Sequence, residues 1–153
     1  MNTAFIWFGC TLALGALLFG SRYLVGRTGR ASVVLWCISG LGSIGVGLFP
    51  VNEAAGVHGI VALPIFVAQP AALLLMGLSL RASRPRLARA TFVVALASVI
   101  GSVGFAFLVG SDAAVIGAVE RLALWPGYVW VSVVAVGSVV GRDAQDRARR
   151  QVQ

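Results

Sequence analysis

The sequence predicts an all-α fold: a polytopic transmembrane bundle of five spans, N-terminus outside and C-terminus in the cytoplasm. Three observations carry that expectation. Of 153 residues, 59% are hydrophobic, 19 more are Gly, and only 11% are charged, against about 25% in soluble domains. A water-soluble sphere of this size could not hide so much apolar surface. Five apolar stretches, about 4–20, 31–49, 57–80, 91–110 and 122–141, approach or exceed the roughly 20 residues that a helix needs to cross a bilayer core about 30 Å thick. The third observation is the placement of charge.

All 12 basic residues are Arg. Arg22, Arg27 and Arg30 follow the first span; Arg81, Arg84, Arg86 and Arg89 follow the third; Arg142, Arg147, Arg149 and Arg150 follow the fifth. Only Arg121 falls in one of the other two loops, 50–56 and 111–121. Basic residues concentrate in cytoplasmic loops, and this asymmetry fixes the orientation. It also makes nucleic acid a poor partner, because the charge punctuates spans instead of forming a patch. Membrane lipids are the expected surroundings, and the exclusive use of Arg suggests a GC-rich bacterial genome and hence a bacterial cell membrane. Residues 1–141 read as one transmembrane domain and 142–153 as a cytoplasmic Arg-rich tail. In that tail, Asp143/Arg147 and Asp146/Arg150 at i,i+4 support a helical extension.

The first span lacks the basic segment that precedes the apolar core of a cleavable signal, and Arg22 comes after it. Trp7-Phe8-Gly9-Cys10 lacks the same segment and does not read as a lipoprotein site. Cys10 and Cys37 lie in different spans with an expected depth difference of roughly 10 Å. That is too far for a disulfide, so two inert thiols are expected.

Residues 30–55 align without a gap on 89–114, with nine identities that include Ser39/Ser98, Gly42/Gly101, Ser43/Ser102 and Gly45/Gly104. A composition this biased gives on the order of three by chance. Spans two–three and four–five then read as copies of one hairpin, unless shared helix-packing residues alone account for the likeness. The run Gly40-Leu41-Gly42-Ser43-Ile44-Gly45-Val46-Gly47 resembles a dinucleotide fingerprint only as a string, since that motif needs a strand before it. Small residues four apart, such as Ser43/Gly47, Ala97/Gly101 and Gly137/Gly141, instead allow helix backbones to approach closely.

Two polar groupings interrupt the apolar pattern. His58, the only histidine, stands at the outer mouth of span three, and Gln69 lies eleven residues deeper. Helical spacing places His58, Ala62, Ile65 and Gln69 on one face. Pro64 and Pro70 leave the carbonyls of Ile60 and Phe66 without their usual partners. These groups call for another helix, a cavity or a ligand. The second grouping is Glu120-Arg121, followed by Trp125, Tyr128 and Trp130, aromatics that read as interfacial anchors. Glu120 and Arg121 diverge by 100° on a helix, so each needs a partner elsewhere. Glu53, His58 and Asp112 are the candidates, with Asn52 beside them in the outer loop. A carboxylate beside an imidazole suits acid–base work, and an Arg suits an anionic head group; ion pairing at helix ends accounts equally for the same residues. A lone His does not make a metal or haem site, so no metal and no cofactor are expected.

Gly47-Leu48-Phe49-Pro50, then His58, then Glu120-Arg121 with Trp125, resembles the membrane proteins grouped as domain of unknown function 998. The opening Met1-Asn2-Thr3-Ala4-Phe5 is similar to the start of an internal helix of that family. The resemblance spans essentially the whole chain. It implies about six spans, of which this chain would lack the first, and it implies no reaction.

Three functions remain in view. The first is binding of a lipid head group or small amphiphile at an outward-facing polar site. The candidate residues are His58, Gln69, Glu120, Arg121, Glu53, Asn52 and Trp125. The second is an accessory or structural subunit docked on a membrane-protein partner. The third is a membrane-embedded enzyme acting on a lipid-like substrate through His58 and Glu120. Transport ranks below these, since no acidic residue is expected mid-span and five spans are few unless the protein forms an oligomer.

Overall fold

A computed structural model describes residues 2–111 and 114–151, with residues 19 and 139–151 as backbone only. Asp112 and the tail pairs Asp143/Arg147 and Asp146/Arg150 therefore lie outside the described side chains. The helices are α1 (Asn2–Tyr23), α2 (Gly26–Leu48), α3 (Val51–Leu80), α4 (Pro85–Leu108) and α5 (Ile116–Gln151). All five are long and apolar enough to cross a membrane, and no strand occurs among the described residues. The chain is a multi-pass membrane protein.

Most of the helices overrun the apolar stretches, because hydropathy senses the part that suits lipid and not the part that is helical. Pro85 opens α4, where its fixed φ and missing N–H are harmless. Helix α3 starts at Val51 instead of about 57, so Asn52 and Glu53 sit in a helical turn and not in a loop. A kink at Ala54 (φ −147°, ψ 57°) sets that turn off from the rest of α3. Helix α5 starts at Ile116, not about 122, which puts Glu120 and Arg121 inside the helix. The linkers 24–25 and 81–84 define an Arg-rich end, and 49–50 with 109–111 and 114–115 an Arg-poor end.

Successive helices pack antiparallel, with glycine at the crossings. Gly9 and Gly40 bring the backbones of α1 and α2 together, and Gly47 meets Asn2 and Ile6 farther along the same pair. Gly42 and Gly45 turn the other way, toward Ile65 and Val61 of α3. The glycine run of α2 therefore serves two neighbours at once, and the small-residue motif is used inside this chain. The hairpin likeness has a packing counterpart: Gly101 and Gly104 meet Ala123 and Val119 of α5, as Gly42 and Gly45 meet α3. The second pair of contacts is shifted by one residue from strict repetition.

The ring closes where Phe8 of α1 meets Tyr128 of α5 edge-on, with centroids 4.5 Å apart. Leu12, Trp36, Ala72, Leu73 and Ala95 form the core between them. Both cysteines are free, and the Cys37 thiol faces the Ala13 carbonyl at 3.8 Å. Cys10 and Cys37 thus differ in level by roughly 4 Å, less than the sequence suggested, because α2 begins five residues before its apolar stretch.

Candidate functional site

A groove of about 1050 Å³ runs along α3, α4 and the start of α5 from the Arg-poor end. Its walls are apolar side chains, Phe66 and Phe105 among them, and its polar lining residues are His58, Ser102 and Glu120. The rings of Phe66 and Phe105 stack with centroids 4.4 Å apart and join α3 to α4 across it.

His58 marks the mouth. Its Nδ1–H donates to the Phe49 carbonyl at 2.8 Å, at the C-terminus of α2 where helical carbonyls lack partners. In the neutral ring that bond leaves Nε2 as the acceptor. The segment Gly-Leu-Phe-Pro to His is thus a local closure: Pro50 ends one helix, and His58 on the next ties back to it.

Glu120 stands deeper. Gln69 is level with Ala123 and Leu124, and Gly104 with Val119, so Glu120 is level with Phe66 and Phe105. His58 lies eight residues up α3 from Phe66, about 12 Å along the axis. The two side chains line one groove at different depths, whereas the apolar stretches alone put His58 at a span mouth and Glu120 in a loop at the same end. The difference follows from α5 beginning at Ile116, which carries Glu120 below the helix end. Among the described residues Glu120 makes no hydrogen bond or ion pair.

Ser102 was not singled out by sequence as a site residue. Its Oγ is buried with no partner among the described residues, about one helical step below Glu120. The only signal was its match to Ser43 in the hairpin alignment.

Gln69 does not line the groove. It is fully buried, and its Nε2 donates to Leu124 O at 2.8 Å and Ala123 O at 3.2 Å. Pro126 cannot bond the Leu122 carbonyl and loosens that turn of α5. Gly127 has no side chain to keep the amide away. The face from His58 to Gln69 therefore divides: His58 and Ala62 border the groove, while Ile65 and Gln69 pack inward on α2 and α5.

Arg121 points away from the groove and donates to the Gly117 carbonyl of its own helix at 3.0 Å. Asn52 and Glu53 are exposed and do not line the groove, although Val51 and Ala55 beside them do. Trp125 is 63% exposed on the outer side of α5. Its companions turn inward instead of anchoring: Trp130 Nε1–H donates to Thr91 Oγ1 at 3.0 Å, and Tyr128 lies beside Ser39 and Ser43.

The family described as "Protein of unknown function (DUF998)" matches residues 1–137, nearly the whole chain, and the chain belongs to that family. No curated protein and no solved structure matches it.

Proposed function

For this member of an uncharacterised membrane family, we propose that the groove between α3, α4 and α5 binds a lipid or small amphiphile entering from the outer leaflet. The single observation that carries the reading is the Glu120 carboxylate, without a partner among the described residues, in the wall of a largely apolar groove of about 1050 Å³. A charged side chain facing acyl chains costs about 2.5–3.5 kcal/mol on insertion scales. A hydroxyl or amine on the ligand, donating to Glu120, offsets that cost. His58 Nε2 offers a second acceptor about 12 Å higher, at the mouth. The ligand class is therefore an amphiphile with donor groups, and not the anionic head group that Arg121 would grip.

Acid–base catalysis by His58 and Glu120 has less support, since general acid–base partners must share hydrogen-bond reach of the reacting group. The accessory-subunit reading also loses its main motivation, because the glycine faces are occupied by neighbouring helices of the same chain. The test is native mass spectrometry of the protein extracted in mild detergent, wild type beside His58→Ala and Glu120→Gln. Mass retained by the wild type and diminished in Glu120→Gln supports binding in the groove. Bare protein throughout, or equal retention in all three, refutes it.

A further inference from the structure

A second cavity, of about 240 Å³, opens at the opposite, Arg-rich end and is bordered by all five helices. Leu12, Ala16, Val33 and Met76 wall its interior, and Tyr23 and Arg84 stand at its mouth. On one side α1 widens into a π-helical turn, Ala16–Gly20, whose two end residues line the cavity. Such turns concentrate at functional sites. The Arg84 guanidinium lies over the Tyr23 ring, 5.5 Å from its centroid. Its backbone is fixed as well: Arg84 N–H donates to Leu80 O at 2.8 Å, Ala88 N–H donates to Arg84 O at 2.9 Å, and Pro85 restricts its conformation.

The charge at this end is lopsided. Eleven Arg belong to it by sequence, against Asp143 and Asp146, while Glu53, Asp112 and Glu120 belong to the other end. Even if both Asp pair with Arg, nine positive charges remain. Of the eleven, Arg84 lines the cavity among the described residues. A volume below the roughly 300–1,000 Å³ of small-molecule pockets suits a single hydrocarbon chain and not a bulky ring system or a peptide.

We propose that this cavity seats one acyl chain of an anionic phospholipid from the leaflet at the Arg-rich end, with the lipid phosphate held by Arg84. The guanidinium keeps one face on Tyr23 and presents its N–H edge to the phosphate, in the geometry that favours paired charge-assisted hydrogen bonds. This site is independent of the outer groove and stands whether or not that groove binds a ligand.

The experiment titrates the full-length protein in mild detergent with phosphatidylglycerol or phosphatidylcholine of identical chains, read by native mass spectrometry. The wild type is expected to retain phosphatidylglycerol preferentially. Arg84→Gln is expected to weaken that retention about fivefold, the effect of one interfacial cation. Arg86→Gln, exposed and away from the cavity, is expected to leave it unchanged. Gly15→Leu places a side chain into the cavity where an added Cβ meets nothing within 4 Å, and is expected to reduce both lipids. Ala135→Leu fills the cavity from α5 and checks that result independently. Equal weakening by Arg84→Gln and Arg86→Gln would reduce the effect to diffuse surface charge and overturn the site. Unchanged retention in both filling variants would overturn the seat of the chain.

Discussion

Gly127→Ala offers a stringent test of how α3 and α5 are locked. A Cβ at this position would lie 2.5 Å from Gln69 Nε2 and 3.1 Å from both Gln69 Cδ and Leu73 Cδ1. Gln69 and Leu73 are fully buried, so neither has room to withdraw. Overpacking of this kind costs about 1–3 kcal/mol. Displacing the amide also breaks its bonds to Ala123 O and Leu124 O, each worth about 0.6 kcal/mol and at most about 1.7 inside a membrane. The expected loss is about 2–4 kcal/mol. Gln69→Ala alone forfeits the bonds and leaves a void, yet it removes Oε1, which is buried without a partner among the described residues. In the double variant the methyl added at position 127 enters the vacated space, so the two losses should fall short of their sum by about 1–3 kcal/mol. Unfolding in mixed micelles, followed by circular dichroism for all four proteins of the cycle, measures that coupling. Additivity within about 0.5 kcal/mol, or a neutral Gly127→Ala, would refute the lock.

Gly101→Leu should disrupt the α4–α5 crossing, because its Cβ would strike the backbone of Leu122 and Ala123. Gly56→Leu, with nothing within 4 Å of its Cβ, should be tolerated; size-exclusion profiles and melting in detergent separate the two. His58→Ala removes the tie to Phe49 O, worth about 1 kcal/mol, so amides of residues 51–55 should exchange about fivefold faster. Unchanged exchange there would show that the tie does not hold the turn. The charge asymmetry predicts that Ala114→Cys, in an exposed turn, reacts with a membrane-impermeant thiol reagent on intact cells, whereas Ser83→Cys reacts only after lysis. The unmodified protein, with Cys10 and Cys37 inside spans, supplies the background. The reverse labelling pattern would invert the orientation.

The spans, their number and the segregation of Arg were legible because they arise from summed properties of about 20 residues each. The glycines of α2 were legible as packing residues, but not as two faces: only the crossing geometry shows Gly40 and Gly47 serving α1 while Gly42 and Gly45 serve α3. Depth was the weaker inference. Hydropathy begins the fifth span near residue 122 and so leaves Glu120 in the outer loop within reach of His58, whereas the helix begins at Ile116 and carries Glu120 below its end. Polar residues at a span end look like loop to a hydropathy window and remain helical in the backbone. Gln69 shows the complementary error. The sequence places it inside span three, but its partner, the turn loosened by Pro126 beside Gly127, lies 54 residues away and has no trace in local spacing.

The paired hairpins clarify which residues are scaffold and which are candidates for function. Under the shift of 59, Gly42, Ser43 and Gly45 meet Gly101, Ser102 and Gly104, and the glycines pack against the next helix in both copies. His58 instead falls on Gly117, Val61 on Glu120, and Gln69 on Tyr128. A repeated packing face needs the same small residues wherever helices cross, whereas a ligand site formed once needs its polar groups once. The groove is where the copies differ: His58 comes from the first hairpin, and Glu120 and Ser102 from the second. Ser102 is the informative case. It matches Ser43 in sequence, yet Ser43 lies beside Tyr128 of α5 while Ser102 lines the groove. If the groove is a binding site, substitutions that restore the repeat should empty it while preserving the bundle. Glu120→Val, which copies Val61, is therefore expected to keep the wild-type melting temperature or raise it, since it removes a charge from an apolar wall. It should at the same time lose any co-purified mass. A variant that melts lower than the wild type would instead assign Glu120 a structural role.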